Sequence, residues 1–388
     1  MRRKLTVLLL VVSLVLGTSL GAAAAPGVTE DQIKIGTFQA LSGPAAPIGT
    51  AMTHGMQAYF RELNEQGGVN GRKIKLLVED DQFKPSETIS IVRRLVQRER
   101  VFSIVGGLGT PTCLAVFPYL SRQNIPFVYP AGGASKFAEP MKENVFVVQP
   151  NYKLEGNIIA QFIVEDLEKE KIGFIHNDTD QGMEGSQSAI KKLKEYDIEP
   201  VENITFSSGT VDYTSQLLEL KKAGAEVVVI HGNAKPAASI VKEADKLGYD
   251  PTFVANYPVA DPVMFDLAGD AWNGVYTAAW LPTLNVNDPN KPGVKKFVKA
   301  VQKHFPKENS WSYAAAGWVA ADVFTEAVDR MGDDISRQKL INTLENFAGW
   351  DGDLVRNVAY GPNRRECVKK MHFLKAENGT FESASDWI

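Results

Sequence analysis

The sequence predicts an α/β protein built of two doubly wound parallel-sheet lobes. Three observations carry that prediction. Strand-like runs alternate with helix-like runs, the alternation restarts after residues 144–152, and the 388-residue chain is longer than one hydrophobic core typically organises.

The first series begins with "QIKIGTFQA" (32–40), a short apolar-rich run that reads as a strand, followed by helical spacing of apolar residues from Gly49 to Asn64. "KIKLLVED" (73–80) is the next strand, Pro85 to Gln97 the next helix, "VFSIVGG" (101–107) a third strand, Thr112 to Arg122 a helix, and "IPFVYPA" (125–131) a fourth strand. After "NVFVVQPNY" the rhythm restarts. Leu154 to Leu167 is helical, "KIGFIHND" a strand, Gly182 to Tyr196 helical, and "VENITF" a strand. Tyr213 to Ala223 is then helical, "AEVVVIHG" a strand, and Lys235 to Leu247 helical. Strands alternating with helices imply parallel sheets covered on both faces.

Residues 1–24 read as a cleavable leader. Arg2, Arg3 and Lys4 precede the apolar run Leu5 to Leu16, and small residues follow to a cleavage point after Ala24. The run is shorter than the roughly 20 residues that span a bilayer. No Cys follows it to take a lipid, so a freely soluble periplasmic product is expected. Without those three basic residues, 39 basic side chains face 46 acidic ones, a net charge of −7 with His neutral. Nucleic acid is a poor partner for such a chain, because its binding rests on neutralising phosphates. Cys113 and Cys367 are the two cysteines and are expected as buried thiols rather than a bridge.

Ligands of open parallel sheets bind beyond the carboxyl ends of the strands. The loops at those ends are Ser42–Gly43, Gly106–Thr112, Ala131–Ser135, Asn177–Gly182, Gly232–Lys235 and Asn256–Val259. Among them "IVGGLGTPTCLA" (104–115) stands out as an anion cradle: its glycines admit close backbone approach, and a helix start favours negative charge. Ordinary turn chemistry uses the same residue types, and Thr110 or Thr112 would also serve as a helix cap. No Lys follows the glycines at phosphate-loop spacing and no G-x-G-x-x-G is present, so a carboxylate is the better anion.

Five segments together resemble the periplasmic solute-binding proteins of the branched-chain amino acid (leucine/isoleucine/valine) type. They are "IKIGTFQALSGPAAPIGT", "LNEQGGVNGRKIKLLVEDDQFKPSETISIVRRLV", "IPFVYPAGGASKF", "VDYTSQLLELKKAGAEVVVI" and "LAGDAWNGVYTAAWLP". The resemblance covers essentially the whole chain after residue 24. It implies a type I periplasmic binding fold with three hinge crossings, near Pro150, Thr277–Ala279 and Arg356–Tyr360. Lobe 1 would combine 25–149 with 279–356, and lobe 2 would combine 150–278 with 357–388. It also implies that Thr110, Thr112, Gly133 and Ala134 grip a ligand carboxylate, with Gly109, Gly132 and Ser135 in the same two loops; Ser42, at the end of the first strand, is a further candidate ligand contact.

At the ligand's other end the sequence departs from the amino-acid binders. Tyr257 aligns where they place an acidic side chain for the ammonium, and Ile48, Gln181 and Asn233 stand where they supply tyrosines. An ammonium buried without a counter-charge costs several kcal/mol. "LGTPT" and "GASKF" also resemble the branch that takes up aromatic carboxylates, for which Tyr257 would offer a ring or hydroxyl and Ile48 and Leu108 an apolar wall. The expected ligand is therefore an aromatic or other hydrophobic acid. The alternatives are an amino acid, its ammonium held by Asp178, Asp180 or Glu184, and a ligand sensor on the same fold.

An enzyme is not expected. His54, His176, His231, His304 and His372 carry no H-E-x-x-H, G-x-S-x-G or paired-Cys pattern around them. No cofactor or metal is expected, and the partners are a small carboxylate and a membrane ABC permease, with the binding protein itself a monomer.

Overall fold

A computed structural model describes residues 25–207, 209–284 and 291–388. The leader assigned to 1–24 lies outside the described residues. Among those described, no helix is long and apolar enough to cross a membrane.

In chain order the first unit comprises β1 (Gln32–Gln39), α1 (Ala46–Glu65), β2 (Lys73–Asp80), α2 (Pro85–Gln97), β3 (Ile104–Val105), α3 (Thr110–Arg122), β4 (Phe127–Val128) and β5 (Val145–Phe146). Its five strands form one parallel sheet in the order β2-β1-β3-β4-β5. The second unit begins with α4 (Tyr152–Glu165), β6 (Ile172–Asn177), α5 (Asp180–Leu193), β7 (Glu202–Phe206), α6 (Thr214–Lys222), β8 (Val227–His231) and α7 (Ala234–Lys246). It continues through β9 (Thr252–Ala255), α8 (Val263–Ala268) and β10 (Tyr276–Ala279). The chain then returns to the first unit through α9 (Pro292–His304), α10 (Trp311–Met331), α11 (Arg337–Glu345), β11 (Ala348–Trp350) and β12 (Val358–Ala359). It ends in β13 (His372–Glu377) and β14 (Thr380–Ser383), which complete a seven-stranded sheet β14-β13-β10-β9-β8-β6-β7.

Two features differ from the expectation. The second sheet is mixed, because β13 and β14 join its edge antiparallel; a hairpin needs no crossover helix and so leaves no βα rhythm to read. The third passage between the units also lies later than Arg356–Tyr360. Tyr360 N still bonds Phe347 O, and the chain runs beside β5 (Val147 N to Arg365 O, 2.8 Å; Val368 N to Val148 O, 3.3 Å) before reaching β13. Cys113 and Cys367 are both buried free thiols, as expected.

Each unit has a helix pair in close backbone approach. In the first, α10 lies along α1: a Cβ placed on Gly55 would stand 1.8 Å from Ala314 O, and one on Gly317 would stand 2.0 Å from Met52 O. In the second, α4 meets α5, where a Cβ on Gly156 would stand 2.1 Å from Gly185 O. Backbone carbonyls cannot swing aside as a flexible side chain can, so these glycines set the interhelical distance.

Gly317→Ala is expected to force α10 off α1 and destabilise the protein by about 1–3 kcal/mol, the usual cost of overpacking a close contact. A lower urea midpoint at unchanged m-value would show this; an unchanged midpoint would mean the helices separate without cost.

Candidate functional site

On the first unit two loops are laced by backbone hydrogen bonds. Gly109 N donates to Ala131 O and Ala131 N to Gly107 O, each at 2.7 Å. This continues the parallel pairing past β3 and β4 and brings Leu108 beside Ala131. Gly109 has φ +100°, a left-handed value that a residue with a Cβ adopts only with strain, and it turns the chain into α3. Thr110 stands half-buried at that helix start, with Pro111 following in the first turn. Gly132 and Gly133 lie opposite: a Cβ on Gly132 would come within 2.8 Å of Thr110 Oγ1, and one on Gly133 within 2.8 Å of the Tyr257 hydroxyl.

Thr112 requires a correction. Its hydroxyl, expected at a ligand carboxylate, is fully buried and donates to the carbonyls of Leu108 and, at 2.9 Å, Gly109. Threonine in the first turn of a helix readily makes such back-bonds, and here they brace the cradle from behind.

The second unit contributes the start of α4 and the turn after β9. Asn151 caps α4 by accepting from Leu154 N at 2.8 Å, and Tyr152 N donates to Gly133 O at 2.7 Å. The Tyr152 hydroxyl lies 3.3 Å from Thr110 Oγ1. The rings of Tyr152 and Tyr257 stack with centroids 6.3 Å apart and an interplanar angle of 19°. Tyr257 is fixed at both ends: its N–H donates to Glu155 Oε1 at 2.5 Å, and its hydroxyl accepts from Gln149 Nε2 at 2.8 Å. Tyr129, from the first unit, donates in turn to Gln149 Oε1 at 3.2 Å. Burial pushes the phenols of Tyr129, Tyr152 and Tyr257 up, so all three stay protonated at neutral pH. Burial likewise pushes the Glu155 carboxyl up to about 8, and its Oε2 has no protein partner.

Two clasps close the rim around this centre. On one side Glu184 accepts from Ser135 N (2.9 Å) and Ser135 Oγ (3.1 Å), and Asp180 pairs with Lys136 at 2.9 Å. On the other, Ser312 N at the start of α10 donates to Asp261 Oδ2 at 2.8 Å, and the Tyr313 hydroxyl to Pro258 O. Burial raises the Asp261 carboxyl to about 6. Ser135, expected beside the ligand carboxylate, is thus engaged by a carboxylate of the protein itself. Asp180 and Glu184 have partners across the rim, whereas Asp178 is exposed.

The remaining expected residues are dispersed. Ser42 Oγ donates to Asp80 Oδ2 at 2.6 Å on an exposed surface. Gln181 is buried and accepts from Asn177 at 3.2 Å within its own unit. Asn233 is the exposed N-cap of α7 and makes no side-chain cap bond. Ile48 and Leu108 pack with the apolar core, and Ala134 is buried in the cluster holding Phe117 and Phe137. His231 is fully buried against Ser186, and burial lowers its pKa to about 3, so it stays neutral. Among the described residues, Glu62, Glu65 and His304 lie close enough to hold a metal, but Lys303 Nζ sits 2.7 Å from each glutamate and supplies the cation. Tyr129, Gln149, Tyr152 and Glu155 were not singled out from sequence. The one signal for Gln149 and Tyr152 was the "QPNY" segment at the restart of the strand and helix rhythm.

Comparison with known proteins agrees with this architecture. A family described as "Periplasmic binding protein" matches residues 32–380. The Leu/Ile/Val-binding protein homolog 7 of Brucella abortus (strain 2308) is 28% identical over 332 residues, covering 81% of this chain and 80% of its own. A branched-chain amino acid ABC transporter protein from Thermus thermophilus with bound valine superposes with a TM-score of 0.85 at 20% identity, covering 93% of this chain and 97% of its own. A fatty acid ABC transporter substrate-binding protein from Thermomonospora curvata does so with a TM-score of 0.84 at 22% identity, covering 94% of each. These structural likenesses speak for the fold, and the family match spans nearly all of the described chain: the protein belongs to the periplasmic binding protein family.

Proposed function

We propose that this protein is the extracytoplasmic solute-binding component of an ABC uptake transporter, and that it captures a small hydrophobic carboxylate by closing two lobes over it. The observation that carries the reading is the meeting of Thr110, Gly132 and Gly133 from one unit with Tyr152 and Tyr257 from the other. Neutral hydroxyls and backbone N–H groups around a helix start suit an anion held without a counter-cation. The lobes would comprise 25–149 with 279–368, and 150–278 with the chain from β13 onward. Capture involves no chemistry; the closed shape is what a permease would recognise.

Branched-chain amino acids are the second reading. The names of the Brucella relative and of the valine-bound Thermus protein favour it. Glu155, buried and bonded to the Tyr257 N–H, has a second carboxyl oxygen without a protein partner that an ammonium would fit.

Protein stripped of solute by unfolding and refolding should be screened by thermal shift against matched hydrophobic acids and branched-chain amino acids. A ligand at 100 times its Kd adds about 2.7 kcal/mol of stability. Stabilisation by acids supports the first reading, and by leucine or valine alone the second. Thr110→Ala is expected to weaken every carboxylate about 10-fold, the scale of one lost hydrogen bond to an anion; unchanged affinity would remove Thr110 from the site. Glu184→Ala opens one rim clasp and should raise Kd about 3- to 10-fold, chiefly through faster dissociation in stopped-flow traces. A change confined to the association rate would argue against a clasp.

A further inference from the structure

Helix α10, 21 residues long, begins without a cap of its own. Its N-cap residue Ser310 makes no side-chain bond to the first turn, whereas Asn151 and Ser336 cap α4 and α11 from within. Glu308, held by His54 Nδ1 at 2.6 Å, accepts from Asn309 N at 3.0 Å and Ser310 N at 2.8 Å, just ahead of the helix. The Ser312 N–H, inside the first turn, is met instead by Asp261 Oδ2 of the second unit at 2.8 Å. The positive end of this helix is thus covered by a carboxylate that belongs to the facing unit.

Asp261 is aimed at that place by its own turn. It is 1% exposed, and its Oδ1 accepts from Val263 N at 3.0 Å, which leaves Oδ2 to point outward. Three more bonds run the same way: Ser312 Oγ to Ala260 O at 2.5 Å, the Tyr313 hydroxyl to Pro258 O, and Asn309 Nδ2 to Asp266 Oδ2 at 3.4 Å. The residues that receive them follow directly on Tyr257, whose hydroxyl meets the cradle at Gly133. Parting the units would strip α10 of its cap, and rejoining them would seat Tyr257 again.

We propose that Asp261 is a positioning residue that caps α10 across the gap, so that cap formation holds a share of the solute-free molecules closed with the Tyr257 turn already in place. The inference rests on the lobe-closing reading and adds to it a source of closure that no solute supplies.

Spin labels at Glu87→Cys in α2 and Lys222→Cys in α6, both exposed, would report the distance between the units by pulsed electron resonance in the full chain, stripped by unfolding and refolding. Two populations are expected without solute, one of them enriched by added leucine or 4-methyl-2-oxopentanoate. Asp261→Ala should lower the closed-to-open ratio about 5-fold, the scale of one helix cap, whereas Asp261→Asn keeps a capping oxygen and should retain most of the closed population. Ser312→Pro removes the donor from the other side and should lower the ratio by at least about as much. Pro47 and Pro111 already occupy that second helical position in α1 and α3, so the fold admits the change. In the Ser312→Pro background Asp261→Ala should have no further effect, because the bond it would break is already gone. A single population without solute, a ratio unmoved by Asp261→Ala or Ser312→Pro, effects that multiply, or Asp261→Asn as damaging as Asp261→Ala overturns this inference alone. A distance that neither solute nor any variant moves fails the lobe-closing reading, and the inference with it.

Discussion

Two parallel sheets can share one ligand only if the carboxyl ends of their strands face each other across a gap. Right-handed βαβ connections put all those ends on one edge of each sheet, and the chain must then bring the two edges together. Here the chain passes from the first unit to the second, back again, and over a third time. Everything at the centre follows from that arrangement. The Gly107, Gly109 and Ala131 lacing, the start of α4 and the turn carrying Tyr257 are all continuations of strands or connections that end at the facing edges.

The alternation of strands and helices was readable because parallel strands buried on both faces leave continuous apolar runs. The strand Lys73–Asp80 and the helix Pro85–Gln97 have in the structure the bounds the sequence suggested. The helix after the glycine loop begins two residues earlier than expected, at Thr110, because Pro111 is already suited to a first helical turn. The antiparallel pair β13 and β14 was not legible, since a hairpin at a sheet edge has no helix to announce it. Loops at strand ends singled out Thr110, Gly133 and Tyr257, which the structure brings within contact of one another or of Tyr152. Gln149 and Tyr152 lie at a crossing between units, where position depends on how the sheets are disposed and not on local pattern. The hydroxyl direction of Thr112 depends on a single side-chain rotation, which no spacing encodes.

The centre is rich in protons and poor in free charge. The Tyr152 and Tyr257 phenols, kept neutral by burial, one threonine hydroxyl and a glycine-lined backbone meet at the cradle, while Glu184 and Asp261 serve the rim and Glu155 holds the Tyr257 N–H.

The close contact between α1 and α10 also bears on how the chain reaches its final form. Gly55 and Ala314, whose backbones touch, are separated by most of the sequence, and the whole second unit up to β10 lies between them. The first sheet can pair its strands early, but the face covered by α1 and α10 stays unfinished until residues near the end of the chain arrive. Contacts of such sequence separation make folding slow, because long loops must close before any burial rewards them. A chain made from its N-terminus would therefore finish neither core until its last segments arrive, α10 covering the first and β13 and β14 completing the second sheet.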